Sequence, residues 1–308
     1  MKTLNATTFR QAQDYVLNHA RPVDRALWNH WFNQGPASAV ADALAPYQNT
    51  DGGFGHAIEP DFRLPDSTAT ASTVAFQYLT AASVPANDPR VQRGIDYFLS
   101  TFNHETRSWL PVVATIADHP RANWWNAYPP ITYAPDAQGW GNPSAEAIGW
   151  LNHYADLVDA GFLDDRIADA IAWIEHTPKF EPHELLCCQR FASTLTPDQA
   201  APMHDRLNTA ALDAADTDPA KWPEYAAQPV WFATSPDTPL ANAFGQALQD
   251  NLDFVVDQQQ DDGSWQPTWT WGRYENHWPQ AAREWSGHLT VHRVKLLDAF
   301  GRVTRPQP

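Results

Sequence analysis

The sequence predicts an all-α fold built from helices paired into hairpins. Three observations carry this expectation. Apolar residues recur at the 3.6-residue helical period along much of the chain, and no segment alternates as a half-buried strand would. Prolines fall where helices should start or in the loops between them. A glycine turn that ends one helix, Gln48 to Phe54, returns near the C-terminus as Gln259 to Trp265.

Taken in order, a helix is expected from about Thr8 to Asn18, with Phe9, Ala12, Tyr15 and Val16 on one face. A second covers Pro22 to Phe32, and a third runs from Ala37 to Tyr47 into the first glycine turn. After an acidic loop, a small-residue helix is expected to begin at Asp66 and end near Leu79. Asp88-Pro89 opens the next, with aspartate as N-cap and proline at the first helical position. From Leu110 to Asn142 the period is lost and the chain fills with Pro, Trp and Tyr, among them Tyr128, Pro129, Pro130 and Tyr133. A segment of that kind is usually functional, or a lid. Helices return at Asn142-Pro143, at Asp164 to His176 and at Glu181 to Leu195. Thr196-Pro197-Asp198-Gln199 reads as a capping box. A second proline-rich loop covers Asp216 to Pro239, Thr238-Pro239 starts the helix leading to the second turn, and Ala281 to Phe300 closes the chain. The total is about eleven or twelve helices, which fits six hairpins in a ring and a single domain over residues 1–308.

The two turns align residue by residue. Gln48 matches Gln259, Asp51 matches Asp262, Gly52 matches Gly263, and Phe54 matches Trp265. The glycines supply the positive φ of a helix exit. Trp109 falls about one paired-helix period, roughly 50 residues, beyond Phe54 and is the expected aromatic of a degenerate third copy. These turns resemble the QW-type repeats of the terpenoid cyclase and protein prenyltransferase superfamily. Pro65-Asp66-Ser67-Thr68-Ala69 is similar to the segment carrying the acid of squalene-hopene and oxidosqualene cyclases. Small bacterial members of that superfamily share a comparable turn, acidic loop and an ending like Phe300-Gly301-Arg302. The resemblance implies an α/α toroid, an (α/α)6 barrel of about six helical hairpins. It also implies class II-like chemistry, with Asp66 as proton donor.

Composition narrows the partners. A formal charge of -16 argues against nucleic acid, because phosphate binding wants a basic face, and against an anionic membrane surface. No stretch approaches the roughly 20 apolar residues of a membrane span, and residues 1–13 hold no apolar run suited to a signal peptide. Cys187 and Cys188, the only cysteines, are adjacent and form neither a disulfide framework nor a zinc clip. A reduced, cytoplasmic protein without cofactor is expected. Gly52-Gly53-Phe54-Gly55 lacks the lysine of a P-loop and the strand of a dinucleotide fold.

The candidate catalytic residues are Asp66, Glu59, Asp61 and His56, concentrated just before a helix. Asp66 has a plain reading as helix N-cap. Its sharper reading is a protonated acid, which would need burial or neighbouring carboxylates such as Glu59 and Asp61. Only one aspartate of the bacterial cyclase motif is retained. The carboxylates also suit glycosidic chemistry, with tryptophans stacking on sugars. A non-catalytic scaffold is the third reading. Fifteen tryptophans are available to plug or line a central funnel, and Trp124, Trp125, Trp140, Trp265, Trp269 and Trp271 are the candidates for contact with an apolar or cyclic small molecule. Glu284, His288 and His292 share one helix face at metal-compatible spacing, but the Asp-x-Cys pair of the prenyltransferases is missing and no metal is expected.

Overall fold

The computed structural model describes residues 1–126 and 139–306. Tyr128, Pro129, Pro130 and Tyr133 of the irregular stretch lie outside the described residues. Among those described there are 13 α-helices and no sheet, so the chain is all-α. In order they are α1 (Ala6–His19), α2 (Pro22–Phe32), α3 (Ala37–Leu44), α4 (Ala69–Ala81), α5 (Pro89–Thr101), α6 (Gly141–His153), α7 (Ala160–His176), α8 (Pro182–Thr194), α9 (Pro197–Ala214), α10 (Pro229–Phe232), α11 (Pro239–Phe244), α12 (Gln246–Asp257) and α13 (Trp278–Ala299). Proline stands in the first turn of α2, α5, α8, α10, α11 and α13, where its missing N–H costs nothing. The box at Thr196 forms in both directions: Thr196 N–H donates to Gln199 Oε1 at 3.1 Å, and Gln199 N–H to Thr196 Oγ1 at 3.4 Å.

Several boundaries differ from the sequence reading, among them the start of α7 at Ala160 rather than Asp164. The helix after the acidic loop starts at Ala69, and its N-cap is Thr68, whose hydroxyl accepts from Ala71 N–H at 2.9 Å. Asp66 lies three residues upstream of the helix and does not cap it. The helix expected from Thr238 to the second turn breaks at Gly245 (φ 52°) into α11 and α12. The last helix starts earlier, at Trp278, because Pro279 occupies its first turn. The short α10 lies inside the second proline-rich loop.

The chain divides into two compact units, Met1–Ala43 with Leu212–Pro308, and Leu44–Ala211. In the second unit, α6 packs against α4, α7 and α8, and α5 packs on α4. Small residues permit this. A Cβ on Gly149 of α6 would stand 2.9 Å from Phe191 Cα of α8, and one on Gly94 of α5 would stand 2.5 Å from the Phe76 ring of α4. Helices α4 and α6 are buried on almost every side, as helices flanked by others must be. In the first unit, α1 and α2 pack on α13 and on each other, and α10 on α12. There the two ends of the chain are tied together. Leu4 N–H donates to Arg302 O, and Thr304 N–H to Leu4 O, both at 2.8 Å. Arg302, 1% exposed, donates to Lys2 O and Gln249 Oε1 and pairs with Asp253.

The glycine turns share one geometry. Gln48 Nε2 donates to Gly52 O and Arg90 O, both at 2.9 Å, and Gln259 Nε2 to Gly263 O at 3.1 Å and Thr8 O at 2.9 Å. Each glutamine thus spans its own turn and reaches the first turn of another helix, α5 or α1. Asp51 accepts from Gly53 N–H and Asp262 from Ser264 N–H. The aromatic's backbone N–H then donates to a hydroxyl on the following long helix: Phe54 to Ser72 of α4 at 3.0 Å, Trp265 to Thr290 of α13 at 3.1 Å. Trp109 repeats that bond, to Ser144 of α6 at 3.1 Å. Its indole donates to Phe98 O at 2.7 Å, as that of Trp265 does to Val255 O at 2.7 Å. Two residues before each aromatic the backbone is left-handed, at Gly52 (φ 90°), Gly263 (φ 89°) and Arg107 (φ 52°). The third copy therefore keeps the shape with arginine in place of glycine.

Candidate functional site

The first turn holds the acidic loop in place. Asn49 Nδ2 donates to Pro65 O at 2.9 Å and to Ser67 Oγ at 3.0 Å, and the Ser67 hydroxyl donates to Asp51 Oδ1 at 2.8 Å. The loop therefore leaves the turn and comes back to it. Its far side is paired with the 120–122 segment: Arg63 N–H donates to Pro120 O, and Ala122 N–H to Asp61 O, both at 2.8 Å. Arg121 fastens that segment by donating from Nη1 to the carbonyls of Ile116, Ala117 and His119.

Residues Ala57 to Phe62 are all buried, which is unusual for a loop because buried backbone must find partners. The entrance to this stretch is strained. His56 (φ 53°) and Ala57 (φ 62°) are consecutive non-glycine residues in the left-handed region. The His56 ring bonds to Asn49 Oδ1 at 2.8 Å, which offsets part of that strain.

The loop brings Glu59 (9% exposed) and Asp61 (6% exposed) inside, two residues apart, with Glu59 Oε1 accepting Asp61 N–H at 2.9 Å. Asp66 is exposed instead, and Thr115 Oγ1 donates to its Oδ2 at 2.6 Å. Burial is thus found at Glu59 and Asp61, not at Asp66. His56 is exposed at the loop's rim.

The six tryptophans separate into three environments. Trp125 is half-buried and packs edge-on against Phe62 of the acidic loop, centroids 5.1 Å apart, while Trp124 is 45% exposed. Trp140 (1% exposed), Trp265 (3%) and Trp271 (0%) are packing residues. Trp140 lies against Trp173 and donates to Arg107 O, Trp265 ties its turn to α12, and Trp271 lies against Trp278. Indoles enclosed this fully present no face to a dissolved ligand. Trp269 is half-buried among Tyr225 and Trp285.

A second set of buried carboxylates, on α6 and α8, escaped the sequence reading. Glu146 (2% exposed) accepts from Gln77 Nε2 of α4 at 2.7 Å, Arg190 Nη1 at 2.9 Å and Cys187 Sγ at 3.3 Å. Burial works against the charge on Arg190, yet Glu146 holds its guanidinium above the ordinary value. Glu184 (2% exposed) accepts from Gly141 N–H at 3.2 Å through Oε1, and its buried Oε2 has no hydrogen-bond partner among the described residues. Burial pushes its carboxyl above the usual range. Burial likewise raises the thiols of Cys187 and Cys188, which marks them as inert small hydrophobes. The only sequence signal for this set was a glutamate at an otherwise apolar position of each helix.

Among the described residues no three His, Cys, Asp or Glu side chains gather as metal ligands, and no helix is long and apolar enough to cross a membrane. The sequence matches no known family model and no curated protein.

Proposed function

We propose that this chain is an enzyme of the terpenoid cyclase-like α/α class, acting on an uncharged apolar or cyclic small molecule. Glu59 and Asp61 form its acid–base pair. The observation that carries the reading is the buried acidic loop, which enters through two left-handed residues and encloses both carboxylates. Backbone strain of this kind costs about 1–3 kcal/mol per residue and persists where surrounding structure over-determines it, often at working sites. A pair of enclosed carboxylates suits proton transfer to an alkene, an epoxide or a glycosidic oxygen. Trp125 against Phe62 supplies an aromatic surface beside them. In this reading Asp66 keeps a structural role through Thr115, and His56 orients the loop through Asn49.

Substrate class is tested by incubating the protein with three panels: alkene- and epoxide-bearing isoprenoids, isoprenoid diphosphates, and oligosaccharides, with products detected by mass spectrometry. Turnover confined to uncharged isoprenoids or related cyclic compounds is expected. Turnover of oligosaccharides alone would transfer the carboxylate pair to glycosidic chemistry. Turnover of none, by folded protein, would leave the loop a structural plug and the chain a scaffold.

A further inference from the structure

One side chain in the first glycine turn does more than the turn requires. The backbone of Asn49 closes that turn: its N–H donates to Gly53 O at 2.9 Å, and its carbonyl accepts from Gly52 N–H at 3.1 Å. In the second turn Gln260 makes the same two backbone bonds, to Ser264 O at 2.8 Å and from Gly263 N–H at 2.9 Å. There the side chain stays local, with Gln260 Nε2 donating to Gln258 O. The turn thus forms without a long-range bond from this position. The Asn49 side chain is committed to the acidic loop instead.

Three side-chain bonds reach that loop. Nδ2 donates to Pro65 O at 2.9 Å and to Ser67 Oγ at 3.0 Å, where the loop ends, and Oδ1 meets His56 Nε2 at 2.8 Å, where it begins. A carbonyl such as Pro65 O can only accept, which places the amide nitrogen on that side and the amide oxygen toward His56. His56 Nε2 must then carry the hydrogen, and Nδ1 is left as the proton-accepting nitrogen of the neutral ring. The Ser67 hydroxyl accepts from Asn49 and gives its own hydrogen to Asp51 Oδ1 at 2.8 Å, so the network runs in one consistent direction. Between the two ends lie the buried Glu59 and Asp61, and the left-handed pair His56 and Ala57 opens the stretch.

We infer that Asn49 is a positioning residue of the proposed site. Its amide closes the acidic loop at both ends and so sets where Glu59 and Asp61 stand. It also holds His56 as the Nε2–H form, so the exposed ring takes up a proton from water through Nδ1. The bonds support one another because each fixes a different residue of one short loop. The inference rests on Glu59 and Asp61 as the acid–base pair.

The test combines amide hydrogen exchange and nitrogen-15 NMR on the full chain, for wild type, Asn49→Ala, Asn49→Asp and Gln260→Ala. The Asp61 amide, bonded to Glu59 Oε1, and the Arg63 amide, bonded to Pro120 O, report the loop. The Gly52 and Gly55 amides report the turn. Asn49→Ala is expected to speed exchange in the loop about tenfold or more, with the turn within about twofold of wild type. Asn49→Asp loses both donors but keeps the acceptor for His56, so it should loosen the loop and retain the Nε2 hydrogen; it decides the matter should the alanine variant not fold. Gln260→Ala should leave the Gly263 amide as in wild type. The neutral His56 ring should carry its hydrogen on Nε2 in wild type and in Asn49→Asp, and show both tautomers in Asn49→Ala. On a compound that wild type turns over, Asn49→Ala should lower kcat about tenfold or more and leave KM within a few-fold. Unchanged loop exchange in the folded Asn49 variants would overturn the inference. So would equal loosening of the turn, a wild-type His56 ring protonated on Nδ1, or full kcat in a loosened variant. Exchange and ring NMR need no substrate, so failure here is told apart from failure of the substrate reading.

Discussion

Replacing Gly52 by alanine tests the geometry that anchors the acidic loop. Gly52 sits at φ 90°, and a Cβ there would stand 2.2 Å from Arg93 O and 2.8 Å from Arg93 C of α5. Gly301 provides the matched control: its φ is 66°, and nothing lies within 4 Å of its added Cβ. An alanine in the left-handed region costs about 1–2 kcal/mol, partly offset by about 0.4–1 kcal/mol from a stiffer unfolded chain. Gly301→Ala should therefore lose about 1 kcal/mol or less. Gly52→Ala carries the same cost and must also move a backbone carbonyl, an overpacking cost of about 1–3 kcal/mol more. A gap of about 2 kcal/mol between the two variants is expected. Urea unfolding followed by tryptophan fluorescence measures it, with Gly263→Ala, whose Cβ would stand 2.2 Å from Gln11 C, expected to behave like Gly52→Ala. Equal losses for Gly52→Ala and Gly301→Ala would refute the steric argument.

Two further outcomes follow from the same structure. Gln48→Leu removes the donor to Gly52 O and Arg90 O and the acceptor for Arg93, and should cost about 1–3 kcal/mol in urea unfolding, with Gln259→Leu costing a similar amount. Glu184 has a folded-state carboxyl raised by burial, so its contribution is present below the ordinary glutamate range and is lost as pH rises through the raised value. Glu184→Gln should accordingly gain stability relative to wild type between pH 4 and 8; unchanged relative stability across that range would contradict the buried, underbonded carboxylate.

The sequence was most legible where one local signal decided the outcome. Asp88-Pro89 and the box from Thr196 to Gln199 set helix starts through bonds within a few residues, and both form as read. The Gln-to-aromatic spacing likewise marked the tied turns. At Asp66-Ser67-Thr68 three competent caps stand in a row, and distant contacts choose among them. Ser67 is held by Asp51, and Thr68 pairs with Phe54, which leaves Thr68 at the helix start. The break at Gly245 was hidden because a single glycine is tolerated inside a helix. Glu146 and Glu184 stand at otherwise apolar positions of their helices, but only the packing of α4, α6 and α8 shows that they are buried. The third turn was obscured by Arg107, which adopts the left-handed conformation that glycine takes in the other two. Burial, finally, separated Glu59 and Asp61 from Asp66, and no local pattern within those eight residues carries that distinction.

The most direct test of the buried pair compares three conservative variants on whichever panel compound the wild-type protein turns over. Glu59→Gln and Asp61→Asn keep shape and remove a transferable proton or its acceptor, while Asp66→Asn changes only an exposed group held by Thr115. Loss of about a hundredfold or more in kcat is expected for at least one of the buried pair, with melting temperatures near wild type and Asp66→Asn within a few-fold of normal. Full activity in Glu59→Gln and Asp61→Asn, with activity lost in Asp66→Asn, would contradict it.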